Sequence, residues 1–238
     1  MTSILETHPY NDRYPVPSNT RCLVIGTAPP PRFSNSAIKN AGELDFDFYY
    51  GSETNLMWPI LEDVSERRFG HRLFEDQFSS EQCVEIAQKF LRDHHIWMRD
   101  VLQSYRRKPG NAASAADNHI VPPPDAKFAS FRAEFDNPNL SKIAFTSQIA
   151  AIWALSAFAE QELIENADEV SSTYRQWSRI GPGIPPEELY RVKFTQPFAH
   201  AKVGICDCAM FILPAPLNRV APRKQEKGKI YEQVLFGS

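Results

Sequence analysis

Apolar positions in this chain fall into short runs that end on small or kinked residues, with strand-length runs alternating with helix-length ones. Leu23-Val24-Ile25 runs into Gly26-Thr27-Ala28-Pro29-Pro30-Pro31, which predicts a strand over about 21–26 and then a loop with little side-chain bulk. A helix is expected from about Asn55 to Arg67. Another is expected over 80–92, where Val84, Ala87, Phe90 and Leu91 make an apolar stripe and Ser80 is placed to cap. A strand over 96–102 follows, and Pro109-Gly110 and the prolines at 122–124 mark irregular chain. Lys142-Ile143-Ala144-Phe145 reads as a short strand, with Thr146-Ser147 starting an Ala-rich, apolar and therefore buried helix that runs through Glu160. Residues 161–200 read as an insertion or long connection. A last strand over 206–213 stops at Pro214-Ala215-Pro216, and a C-terminal helix is expected over 223–235.

Strands interleaved with helices predict an α/β fold: a three-layer αβα arrangement around a mainly parallel, four-stranded central sheet. Ligands collect at the carboxyl ends of the strands in such sheets. Gly26-Thr27-Ala28, Gln103-Ser104, Thr146-Ser147 and the segment from Pro214 to Arg219 all fall at those ends. The sequence by itself therefore points to a site on that edge.

At 238 residues the chain fits one domain over 21–238, with insertions near 34–46 and 161–200 and a polar, proline-bearing arm over 1–20 lying on the surface. The longest apolar run is too short for a membrane span, and the N-terminus lacks the pattern of a signal peptide, so the expected location is the cytoplasm. The four cysteines, Cys22, Cys83, Cys206 and Cys208, do not make a disulfide framework or a metal-ligand spacing, and they are expected as small buried hydrophobes. No metal and no cofactor are expected. The net charge of −3 does not advertise a nucleic-acid binder, although Arg99, Arg106, Arg107 and Lys108 form one basic run and Arg219, Arg223, Lys224, Lys227 and Lys229 another.

Four blocks of sequence then suggest a family. The first runs from Leu23 to Leu61, with Gly26-Thr27-Ala28-Pro29, Phe48-Tyr49-Tyr50, Asn55 and Trp58. The second is Ile96-Trp97-Met98-Arg99-Asp100-Val101-Leu102-Gln103-Ser104, followed by Arg107, Gly110 and Asp117. The third is Ile143-Ala144-Phe145-Thr146, and the fourth is Leu213-Pro214-Ala215-Pro216-Leu217-Asn218-Arg219. Together and in this order they resemble the uracil-DNA glycosylase superfamily, in particular its mismatch-specific and hypoxanthine-type branches. Two departures stand out. The first loop carries Ala28 where many members place a water-activating acid or amide, and Leu213 stands where the uracil branch has a histidine for the departing base.

The resemblance implies a monofunctional DNA glycosylase, a hydrolase of N-glycosyl bonds in base-excision repair. Such an enzyme flips a deaminated or modified base out of DNA, single- or double-stranded, and acts as a monomer. Asn55 is then the catalytic candidate, with Asp47 offering a carboxylate in place of the missing loop acid. Gly26, Thr27, Ala28, Phe48, Tyr49, Tyr50 and Thr146 would contact the base. Ser104, Pro214, Ala215, Pro216, Asn218 and Arg219 would contact DNA. Each has a plainer alternative: a helix cap for Asn55, core packing for the aromatic residues, a solvated carboxylate for Asp47. Asp100, charged in the middle of an apolar strand, is expected to have a partner and a supporting role. The alternative functions are a catalytically inactive nucleic-acid-binding module, a glycosylase for bulky modified bases of phage DNA in a defence role, and a hydrolase of free nucleosides.

Overall fold

The computed structural model of the chain describes residues 4–35, 38, 42, 44–75, 77–181, 183–218 and 221–237, and all but the side chain of Glu187 among them. In chain order the elements are β1 (Leu5–Thr7), β2 (Cys22–Gly26), α1 (Pro31–Ser34), α2 (Met57–Phe69), α3 (Ser80–Asp93), β3 (Ile96–Asp100), β4 (Leu102–Arg106), β5 (Lys127–Phe128), α4 (Arg132–Phe135), β6 (Lys142–Phe145), α5 (Gln148–Glu160), α6 (Ala167–Ser178), α7 (Pro186–Thr195), β7 (Ala199–Val203), β8 (Cys206–Ile212) and α8 (Lys224–Phe236).

The central sheet has five strands in the order β3-β2-β6-β8-β7. The first four are parallel, and β7 lies antiparallel on the edge. The expected four-stranded sheet is thus corrected to a mixed, five-stranded one. β7 was hidden in the supposed connection because its polar and apolar residues alternate, as on an edge strand, rather than forming an apolar run. Gly204, in the turn between β7 and β8, has φ 57° and sits against Phe135, whose carbonyl oxygen would be 2.6 Å from any Cβ there. Every residue of β2 and β3 is buried. Since alternate side chains of a strand point to opposite faces, both faces of the sheet are covered there. Helices α2, α7 and α8 pack together as one group, and α5 and α6 as another. No helix among the described residues is long and apolar enough to cross a membrane.

The expected strand over 96–102 breaks in two. Val101 N–H bonds the Gly26 carbonyl and Leu102 N–H the Thr27 carbonyl, and the chain then leaves the sheet. As β4 it joins β1 and β5 in a separate antiparallel sheet. Asp100, not Gln103-Ser104, therefore ends the central strand. The N-terminal arm is woven into the body instead of lying over it: His8, Tyr10 and Asn11 are buried, and β1 pairs with β4. The supposed insertion over 161–200 contains α6, α7 and the start of β7, and Tyr174, Trp177 and Phe198 pack there as an aromatic cluster. The supposed insertion over 34–46 falls partly outside the described residues.

Helix starts follow local chemistry. Ser79, one residue before the expected Ser80, caps α3 in a reciprocal box with Gln82. The Ser147 hydroxyl accepts from Ala150 N–H at 3.0 Å to cap α5. Cys206 and Cys208 are buried on one face of β8 with Asp207 exposed between them, and all four cysteines are free.

The first basic run is divided: Arg106 and Lys108 are exposed, but the other two residues are buried in ion pairs. Arg99 pairs with Glu134 at 3.1 Å and Arg107 with Glu6 at 3.0 Å, and all four side chains are buried. In the second run, Lys227 is buried and Lys224 pairs with Asp63 at 2.9 Å.

Candidate functional site

A cavity of about 300 Å³ opens at the carboxyl ends of β2, β3 and β6 and at the loop after β8. Its wall includes Thr27, Ala28, Pro29 and Pro30 from the first loop, Tyr50, Ser52 and Asn55 ahead of α2, Asp100, Asp117, Thr146 and Ser147, and Ala215 and Pro216. Four sequence blocks separated by nearly the whole chain thus meet at one opening. Backbone bonds hold them there: Thr146 N–H to the Ile25 carbonyl at 3.0 Å, and Leu56 N–H to the Pro216 carbonyl at 2.9 Å.

Gly26 shows how tightly the floor is built. A Cβ on it would lie 2.0 Å from the Tyr50 hydroxyl and 2.3 Å from Asp100 Oδ1. A glycine is required because these two oxygens crowd the same point. Tyr50 reaches it with φ 57°, in the left-handed region that few non-glycine residues adopt. Its hydroxyl shares a hydrogen bond with Thr146 Oγ1 at 3.1 Å. Burial, and then the charge of Asp100, raise the Tyr50 phenol well above its ordinary value, so the hydroxyl keeps its proton.

Two carboxylates share the wall. Asp100 is buried, and its Oδ2 lies 2.8 Å from His8 Nε2. Asp117 accepts a hydrogen bond from the Thr27 hydroxyl at 2.9 Å. Burial pushes Asp117 up to about 6, and Asp100 adds to the rise, while Thr27, Arg107 and Ser147 oppose it. Arg107 fixes the segment carrying Asp117, since it donates to the carbonyls of Ser114 at 2.6 Å and Pro29 at 2.9 Å.

The residues expected at the site divide clearly. Thr27, Ala28, Tyr50, Asn55, Thr146, Ala215 and Pro216 line the cavity, and Gly26 lies beneath it. Asn55 Oδ1 accepts Met57 N–H at 2.8 Å in a turn just ahead of α2, which leaves its amide N–H groups and the second lone pair of the oxygen for a ligand. Phe48 is a core residue packed on Tyr14, Tyr49 and Trp58. Tyr49 is equally buried, and its hydroxyl donates to Asn11 Oδ1 at 3.1 Å. Neither reaches the cavity, so their assignment to the base is corrected. Asp47 is half exposed and paired with Arg13, outside the cavity wall, and cannot replace the loop acid from there. Ser104 belongs to β4, opposite Thr7, because the strand breaks before it. Pro214 is buried, its carbonyl accepting the Tyr231 hydroxyl at 2.9 Å, while Asn218 is exposed and off the cavity wall. Arg219 lies outside the described residues.

Sequence reasoning gave no role to His8 or Asp117. His8 sits in a polar arm with no motif. Asp117 was visible only as a matching letter in the second block.

A second cavity of about 290 Å³ shares Tyr50, Ser52 and Asn55 with the first and is lined further by Phe46, Trp58 and Phe74. It contains neither Asp100 nor Asp117.

Fold and site together define an α/β protein with a small, mostly apolar cavity, carrying two carboxylates, at the carboxyl edge of its sheet. No protein-family model matches the chain, and no curated protein matches it. Among solved structures, it is similar to the solution NMR structure of a protein from Methanosarcina acetivorans that is provisionally named a uracil DNA glycosylase. The identity is 20%, the TM-score 0.37, and the match covers 58% of this chain and 70% of that one. At that level the likeness transfers no role to any residue here.

Proposed function

We propose that the chain is a monofunctional DNA glycosylase, which takes an extruded, deaminated or modified base into the cavity at the strand ends and hydrolyses its N-glycosidic bond with water. The observation that carries this reading is the meeting of Tyr50, Asp100 and Asp117 with two bulk-free loops around about 300 Å³. A volume of that order lies at the small end of ligand sites, as suits a single nucleobase. An aromatic ring offers a stacking surface worth about 1–3 kcal/mol per base. A carboxylate can polarise a water and balance positive charge developing on the sugar, and a protonated carboxyl can give its proton to the departing base. Thr27-Ala28-Pro29 and Ala215-Pro216 have no long side chain to keep a sugar-phosphate backbone away. The amide N–H groups of Asn55 can mark the base edge. Water is the only co-reactant the reaction needs.

The same cavity would serve uracil or hypoxanthine. A base with a bulky substituent is favoured by one observation, the second cavity that shares Tyr50, Ser52 and Asn55. The test uses oligonucleotides carrying uracil, hypoxanthine, xanthine or modified cytosine, incubated with the protein and then treated with alkali. Scission at one of these bases, much reduced in Asn55→Ala, is expected. Tight binding without scission would make the chain a recognition module, and release from free nucleosides alone would make it a nucleoside hydrolase.

A further inference from the structure

We propose that Asp100 and Asp117 divide the base and acid work of glycosidic hydrolysis in this cavity, and that His8 is the positioning residue that aims Asp100. This rests on the glycosylase reading above and adds catalytic residues that neither the motifs nor the comparisons assign.

The geometry starts in the N-terminal arm. His8 Nδ1 accepts two backbone N–H groups, those of Tyr10 and Asn11, each at 3.1 Å. A ring nitrogen that accepts carries no proton, so the ring proton sits on Nε2. Nε2–H then donates to Asp100 Oδ2 at 2.8 Å. Asn11 grips the same residue through its backbone, accepting Asp100 N–H at 3.2 Å and donating to the Asp100 carbonyl at 3.0 Å. With one oxygen held by His8, the other, Oδ1, is the oxygen that crowds Gly26 beside the Tyr50 hydroxyl. A carboxylate fixed in this way, with one oxygen engaged by a donor and the residue on the cavity wall, suits a base that draws a proton from water. His8 touches no substrate in this arrangement, and its part is to orient.

Asp117 is differently placed. Thr27 and Ser147 offer it hydroxyls, Arg107 faces it from the end of β4, and Asp100 and Tyr50 face it across the cavity. Burial and the neighbouring Asp100 charge favour its protonated form, and its titration near 6 leaves it able to carry a proton in neutral solution. Two carboxylates in one site whose surroundings treat them differently mark an acid and a base.

The step balances. The water oxygen bonds to the sugar C1′ while one of its protons passes to Asp100. The C1′–N bond breaks with its electron pair leaving on the base, and the base nitrogen takes the proton of Asp117. Solvent then removes the proton from Asp100 and returns one to Asp117. No oxidant or reductant is involved.

The test combines two probes. Single-turnover base release from uracil- and hypoxanthine-containing oligonucleotides is followed from pH 5 to 9. Binding is measured to oligonucleotides carrying a cationic pyrrolidine or a neutral tetrahydrofuran in place of the sugar. The wild-type rate should fall about tenfold per pH unit above about 6, and Asp117→Asn should run slower without that limb. Asp100→Asn should lose about a hundredfold or more at every pH while keeping tetrahydrofuran binding. His8→Leu should slow release, and His8→Gln, which keeps a donor, should recover part of it at a similar melting temperature. The wild type should bind the pyrrolidine about tenfold or more tighter than the tetrahydrofuran, and Asp100→Asn should lose that preference, whichever base is the true substrate. Release by the wild type with undiminished rates in both Asn variants would overturn the division of labour and leave the glycosylase reading standing. A wild type that releases no base and shows no preference for the cation would overturn both.

Discussion

At the residue scale the site is set by what the folded chain does to ordinary side chains. Gly26 has no room for a methyl because a phenol and a carboxylate meet over it. Asn55 lines the cavity, and its oxygen also accepts Met57 N–H in the turn that leads into α2, so one side chain serves both the wall and the local turn. Phe48 and Tyr49 could not be told from Tyr50 in the sequence, since three consecutive aromatic residues all suit either a core or a pocket. The left-handed turn at Tyr50 turns the third of them to the cavity. Asp117 gives a prediction at this scale. Its folded pKa is raised from 3.8 to about 6, so the native state binds its proton more tightly than the unfolded chain does. Its contribution to stability is therefore fully present below about pH 4 and is lost as pH rises through about 6. Asp117→Asn should be close to neutral at pH 3.5 and stabilising by on the order of 1–3 kcal/mol at pH 8. Urea denaturation at the two pH values measures this, and equal effects at both would remove the burial argument.

At the element scale, the strands and helices with strong apolar runs were legible. The strands at β2, β6 and β8 and the helices α2, α3, α5 and α8 fall within two residues of their expected bounds. What was missed has a common cause. β1, β4, β5 and β7 are short, polar on one side or antiparallel, and their pairing depends on partners far away in sequence, which no local pattern encodes. The break at Val101 puts Asp100 at the carboxyl edge of the central sheet and takes Ser104 off it. α8 holds the last loop in place: Tyr231 donates to the Pro214 carbonyl at 2.9 Å, and the buried Lys227 to the Leu217 carbonyl at 2.6 Å. Tyr231→Phe should cost about 1–2 kcal/mol, because a buried carbonyl loses its partner, and should also weaken DNA binding through the loosened 214–217 loop. Ser79→Ala is the contrast: removing the α3 cap should cost about 1 kcal/mol with base release unchanged. Equal effects of both on DNA affinity would show that the loop does not depend on α8.

At the scale of the whole molecule, the site exists because distant segments are tied to one rim. The N-terminal arm supplies His8 and Asn11. Arg107 links Glu6, the first loop at Pro29 and the stretch leading to Asp117, and Pro216 is bonded to the start of α2. The sequence located this rim through the ends of its strands, but it showed Arg99 and Arg107 only as members of a basic run, whereas each is held in a buried ion pair. Charge along a sequence does not reveal whether a partner lies across the fold. The account stands or falls on the cavity receiving the base. Ala215, on its wall and only partly buried, can be enlarged without entering the core. The most direct measurement is mass-spectrometric detection of free base from the damaged-oligonucleotide panel with wild type and Ala215→Trp side by side, with melting curves for both. The account predicts release by the wild type and a loss of about a hundredfold or more in an equally stable Ala215→Trp. Release at the wild-type rate with the cavity filled would contradict it.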